Sequence, residues 1–236
     1  MVEEKDIDSY LKVVGDCIYN NPLPLLSIQN PKILKYIDNY LPYSIGMEFE
    51  CKQSNVYNER NFKNIPDILD VQVDSSEQRY RIPKGLKGMV CLWNICIQLK
   101  LNSICDLYSS NHYHFDFTDV DRDTIQTEEN RRWILKELES WSTALDLKQQ
   151  NGWIRFFNSL GTLEIRIGEP TFDYKIIIKR LIQGSNISRK LKNEISPELL
   201  LSNINKELSL LKDYKQIVED DNLINKQIIN SRIIKV

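Results

Sequence analysis

Side chains alternate across a β-strand, so a run that alternates charged and apolar residues puts all of its charge on one face. Four runs in this chain do so. Gly46-Met47-Glu48-Phe49-Glu50-Cys51 sets Gly and two Glu against Met, Phe and Cys. His112-Tyr113-His114-Phe115-Asp116-Phe117 sets two His and an Asp against three aromatic rings. In Leu163-Glu164-Ile165-Arg166-Ile167, Glu and Arg oppose aliphatic residues, and in Glu77-Gln78-Arg79-Tyr80-Arg81-Ile82 one face holds Glu and two Arg. A merely solvated strand face mixes Lys, Thr, Ser and Gln. These faces hold Glu, Asp, His and Arg instead.

The period-two pattern predicts strands near 43–52, 70–82, 111–118, 152–158 and 161–168. Helical spacing separates them. Leu86, Val90, Trp93 and Ile97 form one stripe after Gly85; Ile134, Leu138, Trp141 and Leu145 form another after Asp123. A third helix is expected from an Asp173 cap to a stop at Gly184. Residues 1–42 read as an N-terminal helical extension, with a helix over Ile7, Tyr10, Leu11 and Val14 ending at Gly15 and a second from Ile33 to Tyr40. Residues 43–184 form the α+β core. Residues 185–236 carry one Pro and no Gly, and Leu200, Ile204, Leu208 and Leu211 make them a helical tail suited to assembly.

With 236 residues the chain can bury a sizeable core, and 42% hydrophobic residues exclude a disordered chain. A formal net charge of −2 gives no global pull toward nucleic acid. The apolar runs are far below the ~20 residues of a membrane span. The first residues, Met-Val-Glu-Glu-Lys-Asp, lack the apolar region of a secretory signal, so a cytoplasmic protein is expected. Five cysteines without C-x-x-C spacing read as core side chains. A single Ala against 30 Ile, 21 Asn and 20 Lys is the composition of an A/T-rich genome, common in small-genome bacteria and their phages.

If the four faces adjoin, the carboxylates of Glu48, Glu50, Asp116 and Glu164 repel one another unless cations stand among them. Arg79, Arg81 and Arg166 supply some positive charge and divalent ions the rest. Carboxylates with Arg alongside suit Mg²⁺ holding a phosphate. His112 and His114 are the only histidines in the chain. No Gly-rich phosphate loop is present, so a nucleotide would lie on the sheet face.

In order, Ile45-Gly-Met-Glu-Phe-Glu50, Asp74-Ser-Ser-Glu-Gln-Arg79, Asn111-His-Tyr-His-Phe-Asp116 and Gly161-Thr-Leu-Glu-Ile-Arg166 resemble the amidoligase family of the carboxylate-amine ligase/glutamine synthetase superfamily, found in phages and bacteria. The resemblance spans roughly residues 43–184. It implies a curved, mainly antiparallel sheet with an acidic concave face, helices behind it, and ATP- and Mg²⁺-dependent joining of a carboxylate to an amine. By position, Glu48, Glu50 and Glu164 correspond to metal ligands, and Asp74 with Glu77 to a second acidic group that faces the metals or the incoming amine; Glu77 and Asp116 are expected to join the metal ligands. Asp74 corresponds to the group that receives the amine. His112 or His114 corresponds to the family's histidine that helps bind the nucleotide and its metal; Arg79 and Arg81, from their charge on the same face, are expected to bind nucleotide or phosphate as well. Arg166 corresponds to the arginine at the transferred phosphoryl group. Asn111 stands where the family usually has Gly, which invites a side chain into the site.

Two further readings compete. A phage virion or assembly protein that keeps the fold would use the helical tail against a partner or a second copy. A metal-dependent hydrolase would use His112 and His114 as a Zn²⁺ pair.

Overall fold

The computed structural model describes residues 4–53, 65–73, 77–104, 110–117, 120, 126–141, 154–156, 161–166, 170–194 and four positions between 199 and 206. They form a mixed α+β structure around one antiparallel sheet. Strands β1 (Ile45–Glu50), β3 (Asp70–Val73), β4 (Glu77–Ile82), β6 (Ser110–Asp116), β7 (Ile154–Phe156) and β8 (Thr162–Ile165) pair in the order β3-β4-β1-β6-β8-β7. A separate two-strand ladder joins β2 (Lys52–Gln53) to β5 (Ser103–Ile104). Every described pairing is antiparallel. The single strand expected at 70–82 is in fact two, β3 and β4, with Val73 opposite Gln78. Gln72 and Arg79, an odd number of positions apart, would face opposite ways in one continuous strand and share a face here because they pair across two antiparallel strands.

The chain before β1 holds α1 (Glu4–Asn20), a 3-10 turn at Leu23–Ser27 and α2 (Pro31–Asp38). Pro31 starts α2 at a position where no backbone donor is needed, and the Asn30 side chain accepts from Lys32 N and Ile33 N. The stop expected at Gly15 is absent. Cys17 and Ile18 extend the apolar stripe of α1 and are buried, which outweighs the ~1 kcal/mol that Gly costs inside a helix.

Helix α3 (Gly85–Asn102) is fixed at its start by α2: Asp38 Oδ1 accepts from Leu86 N at 2.9 Å. Gly85 makes the turn there at φ +69°, and a Cβ would fall 2.1 Å from that carboxylate oxygen. Helix α4 (Glu128–Glu137) begins at Thr127, whose hydroxyl accepts from Asn130 N, with Glu128 and Glu129 in its first turn. Leu145 of the expected stripe lies outside the described residues.

Helix α5 (Tyr174–Leu191) is capped by Asp173 as expected, but it runs through Gly184 for another two turns. Gly184 is a packing residue: a Cβ there would sit 2.2 Å from the ring of Phe115. The helix therefore lies directly on β6. Its buried residues Ile177, Leu181 and Ile187 join Ile45, Met47, Phe49, Tyr113 and Phe115 in the core. Tyr174 donates to Ile18 O at 2.8 Å and ties α1 to the same core. Cys17, Cys51, Cys91 and Cys96 are buried free thiols; Cys105 lies outside the described residues. So do Leu200, Ile204, Leu208 and Leu211 of the tail. No helix among the described residues is long and apolar enough to cross a membrane.

Candidate functional site

The opposite face of the sheet carries the charge. Register builds it in rows: Asp70, Arg81, Gly46, His114 and Glu164 stand side by side on β3, β4, β1, β6 and β8. The next row is Gln72, Arg79, Glu48 and His112, and the third is Glu77, Glu50 and Ser110. All four alternating runs thus meet on one surface.

Glu48, on the middle strand, is the hub. His112 Nδ1 lies 3.0 Å from its Oε2, and His114 Nε2 and Arg79 Nε each lie 3.3 Å from its Oε1. His112 first and His114 next hold the Glu48 carboxyl well below the usual carboxylate range, against the opposing effect of burial. Arg79 also grips Glu77 with two bonds of 2.8 and 3.0 Å.

The His112 ring is 2% exposed. Arg166 Nε donates to its Nε2 at 3.2 Å, which places the ring proton on Nδ1 for donation to Glu48. Ser110 Oγ stands 2.9 Å from the same Nε2 and donates to Glu50. Arg166 further reaches Glu164 Oε1 at 3.3 Å and Glu50 Oε1 at 3.5 Å.

His114 faces the other way along the strand. Its Nδ1 lies 3.2 Å from Thr162 Oγ1, an orientation that turns Nε2 toward Glu48 and Glu164. Gly46 makes room for this ring, since a Cβ there would be 3.2 Å from His114 Cβ. One ligand atom each from Glu48, His114 and Glu164 falls within 4.8 Å of the others. Oxygen donors of an octahedral Mg²⁺ at ~2.1 Å stand roughly 2.9 Å apart when adjacent and 4.2 Å when opposite. The three atoms would have to draw closer to reach these separations, and their donor types, two carboxylates and an imidazole, are ones that divalent cations accept.

Beside this cluster a cleft of about 510 Å³ is lined by Asp70, Gln72, Arg81, Gly46, Asp116 and Thr162, among others. Arg81 forms no ion pair with any described residue. By register the described face brings six carboxylates (Glu48, Glu50, Asp70, Glu77, Asp116, Glu164) together with four arginines (Arg79, Arg81, Arg155, Arg166), an excess of two negative charges with neutral imidazoles.

The structure thus joins Glu48, Glu50, Glu77, His112, His114, Glu164, Arg79 and Arg166 in one network and puts Arg81 and Asp116 in the adjoining cleft. Asp74 lies outside the described residues. Asn111 does not enter the site: it lies on the core face opposite Phe49 and donates to Thr171 O at 2.8 Å. Ser110, Thr162 and Asp70 complete the face without having stood out in the sequence, where lone hydroxyls and a single Asp are too common to signal anything. Compared with known protein families, curated proteins and solved structures, the chain matches none.

Proposed function

We propose that the chain is an ATP- and Mg²⁺-dependent carboxylate-amine ligase with a glutamine-synthetase-like sheet, as its resemblance to the amidoligases implies. The observation that carries this reading is the excess of negative charge around Glu48, His114 and Glu164, with guanidiniums at its margins. A face of this kind attracts divalent cations and, through them and its arginines, phosphate.

Glu48, Glu164 and His114 would hold the metal, with Glu50 and Glu77, adjacent across β1 and β4, available to a second ion; Asp116, at the other end of β6, faces the cleft. The bound metal neutralises charge on the phosphate oxygens. Arg166 and Arg79 supply fixed positive charge where the phosphoryl group is transferred. A substrate carboxylate oxygen attacks the γ-phosphorus of ATP, ADP leaves, and an acyl phosphate results. The amine then attacks the acyl carbon, expels inorganic phosphate and gives up its proton, in this reading to Asp74.

The paired-histidine zinc reading is less well supported, because His112 and His114 do not converge. His112 spends Nδ1 on Glu48 and Nε2 on Arg166, leaving one imidazole in the ligand group.

The test is thermal unfolding with Mg²⁺, with a non-hydrolysable ATP analogue, and with both. Binding to the folded state adds ~2.7 kcal/mol at a ligand concentration 100 times its dissociation constant. A rise in Tm that needs both components supports the reading, and its absence in a cooperatively melting protein overturns it. Glu48→Gln should abolish the joint rise.

A further inference from the structure

The cleft beside the metal-ligand group has a polarity of its own. Arg81 lines it without an ion-pair partner among the described residues, and Asp70 stands directly opposite Arg81 across the β3–β4 ladder. The Asp70 carboxylate is turned to its own chain, accepting from Val71 N at 2.9 Å, and does not neutralise the guanidinium. An adjacent cation and anion, both facing a cleft, match a ligand that presents a carboxylate and an ammonium on neighbouring atoms. That is the head group of an α-amino acid. Arg adds geometric selectivity, since its planar fork accepts a carboxylate through two parallel bonds.

The neighbouring position in the row is Gly46, which has no side chain, and beyond it stand His114 and Glu164. Two strand spacings separate Arg81 from His114, roughly 10 Å between backbones. A ligand anchored by its head group at Arg81 and Asp70 can therefore extend over Gly46 toward the metal-ligand group. The carboxylates of Asp116 and Glu48 border that route, so the extending end is favoured when it is cationic.

We propose that the cleft binds a basic diamino acid by its α-carboxylate at Arg81 and its α-ammonium at Asp70, and that its side-chain amine is the nucleophile of the ligation. The assignment of the amine as nucleophile rests on the ligase reading; the head-group site does not. The amine nitrogen forms the new bond to the acyl carbon, and phosphate leaves as described above.

Isothermal titration of the full chain with L-lysine, L-norleucine and cadaverine tests the site, first without nucleotide and then with Mg²⁺ and the ATP analogue. Lysine should bind at least tenfold more tightly than cadaverine, which lacks the carboxylate. Norleucine, which lacks only the terminal amine, should bind more weakly than lysine but more tightly than cadaverine. Arg81→Gln should bring lysine down to the cadaverine level, and Asp70→Asn should weaken lysine and norleucine together. Equal binding of lysine and cadaverine, or no lysine binding under either condition, overturns the proposal. So does an Arg81→Gln variant that loses the nucleotide-dependent rise in Tm while keeping lysine affinity, because Arg81 would then serve the nucleotide. Lysine binding without any nucleotide-dependent rise would keep the head-group site and remove the ligase.

Discussion

Arg166 Nε donates to His112 Nε2 at 3.2 Å, and the other nitrogen of that ring lies 3.0 Å from Glu48. One buried imidazole thus links a guanidinium on one side of the site to the central carboxylate on the other. The two halves of the ring can be separated by substitution. Asn places a polar group near the Nδ1 position and Gln near Nε2. His112→Asn should keep Glu48 strongly acidic and release Arg166, whereas His112→Gln should keep Arg166 and return Glu48 toward the ordinary carboxylate range. Carbon-13 NMR titration of the Glu48 carboxyl reads the difference, and identical titrations in the two variants would contradict this role for His112.

Glu48 makes stability depend on pH in a defined direction. Its carboxyl is held below the usual range in the fold, while in the unfolded chain it takes up a proton near pH 4.3. The unfolded state then binds more protons, so this contribution is fully present above about pH 5 and is lost as pH falls through 4 and below. Thermal midpoints measured from pH 6 to pH 3 should fall less steeply in Glu48→Gln than in the native protein. Parallel slopes would show that the His112 and His114 contacts do not form in solution.

Two glycines in helices should respond oppositely to alanine. At Gly184 the new methyl meets the buried ring of Phe115, and overpacking of this kind costs roughly 1–3 kcal/mol. At Gly15 nothing lies within 4 Å of the added carbon, so Gly15→Ala should stabilise by about 0.5–1 kcal/mol. Each kcal/mol moves Tm by roughly 2–4 °C in a chain of this size. Calorimetry that found both changes destabilising would mean that α1 packs differently around residue 15.

Asp38 lies at the end of α2 and caps α3 through Leu86 N. Asp38→Ala leaves that donor without its acceptor and should cost about 1 kcal/mol, as loss of an N-cap does. Amide exchange in the first turn of α3, followed by NMR, should quicken in the variant, while the amides of β6 should be little affected.

Much of the charged face was legible because strand alternation is a local property. Glu48, Glu50, His112, His114 and Glu164 could be assigned to faces from their immediate neighbours alone. Register is not local, and so the hairpin at 70–82, the opposition of Arg81 and Gly46, and the row from Asp70 to Glu164 came only from the structure. The glycines misled for the same reason. Gly184 looks like a helix stop until Phe115, 69 positions earlier, is seen to occupy the space beside it. Asn111 looked like an intruder in the site because its place in the motif drew attention from its parity: it alternates with the histidines and must face the core.

The strand order β3-β4-β1-β6-β8-β7 also divides the charges of the face between two sequence-local halves. The first half of the sheet is made by residues 45–82 and brings its own counterion, Arg79, to Glu48 and Glu77. The second half, residues 110–166, brings Arg166 alongside Glu164. Each half therefore carries within itself part of the charge that screens its own repulsion. Across the central β1–β6 seam His112 and His114 stand against Glu48, a pairing between residues more than sixty positions apart. Long-range strand pairing of this kind is slow, because the loop must close before any contact forms. The residues that would do the chemistry are thus also a contact across which the two halves of the sheet are joined, and a chain with a neutralised Glu48 should reach its native state at a different rate as well as with a different activity.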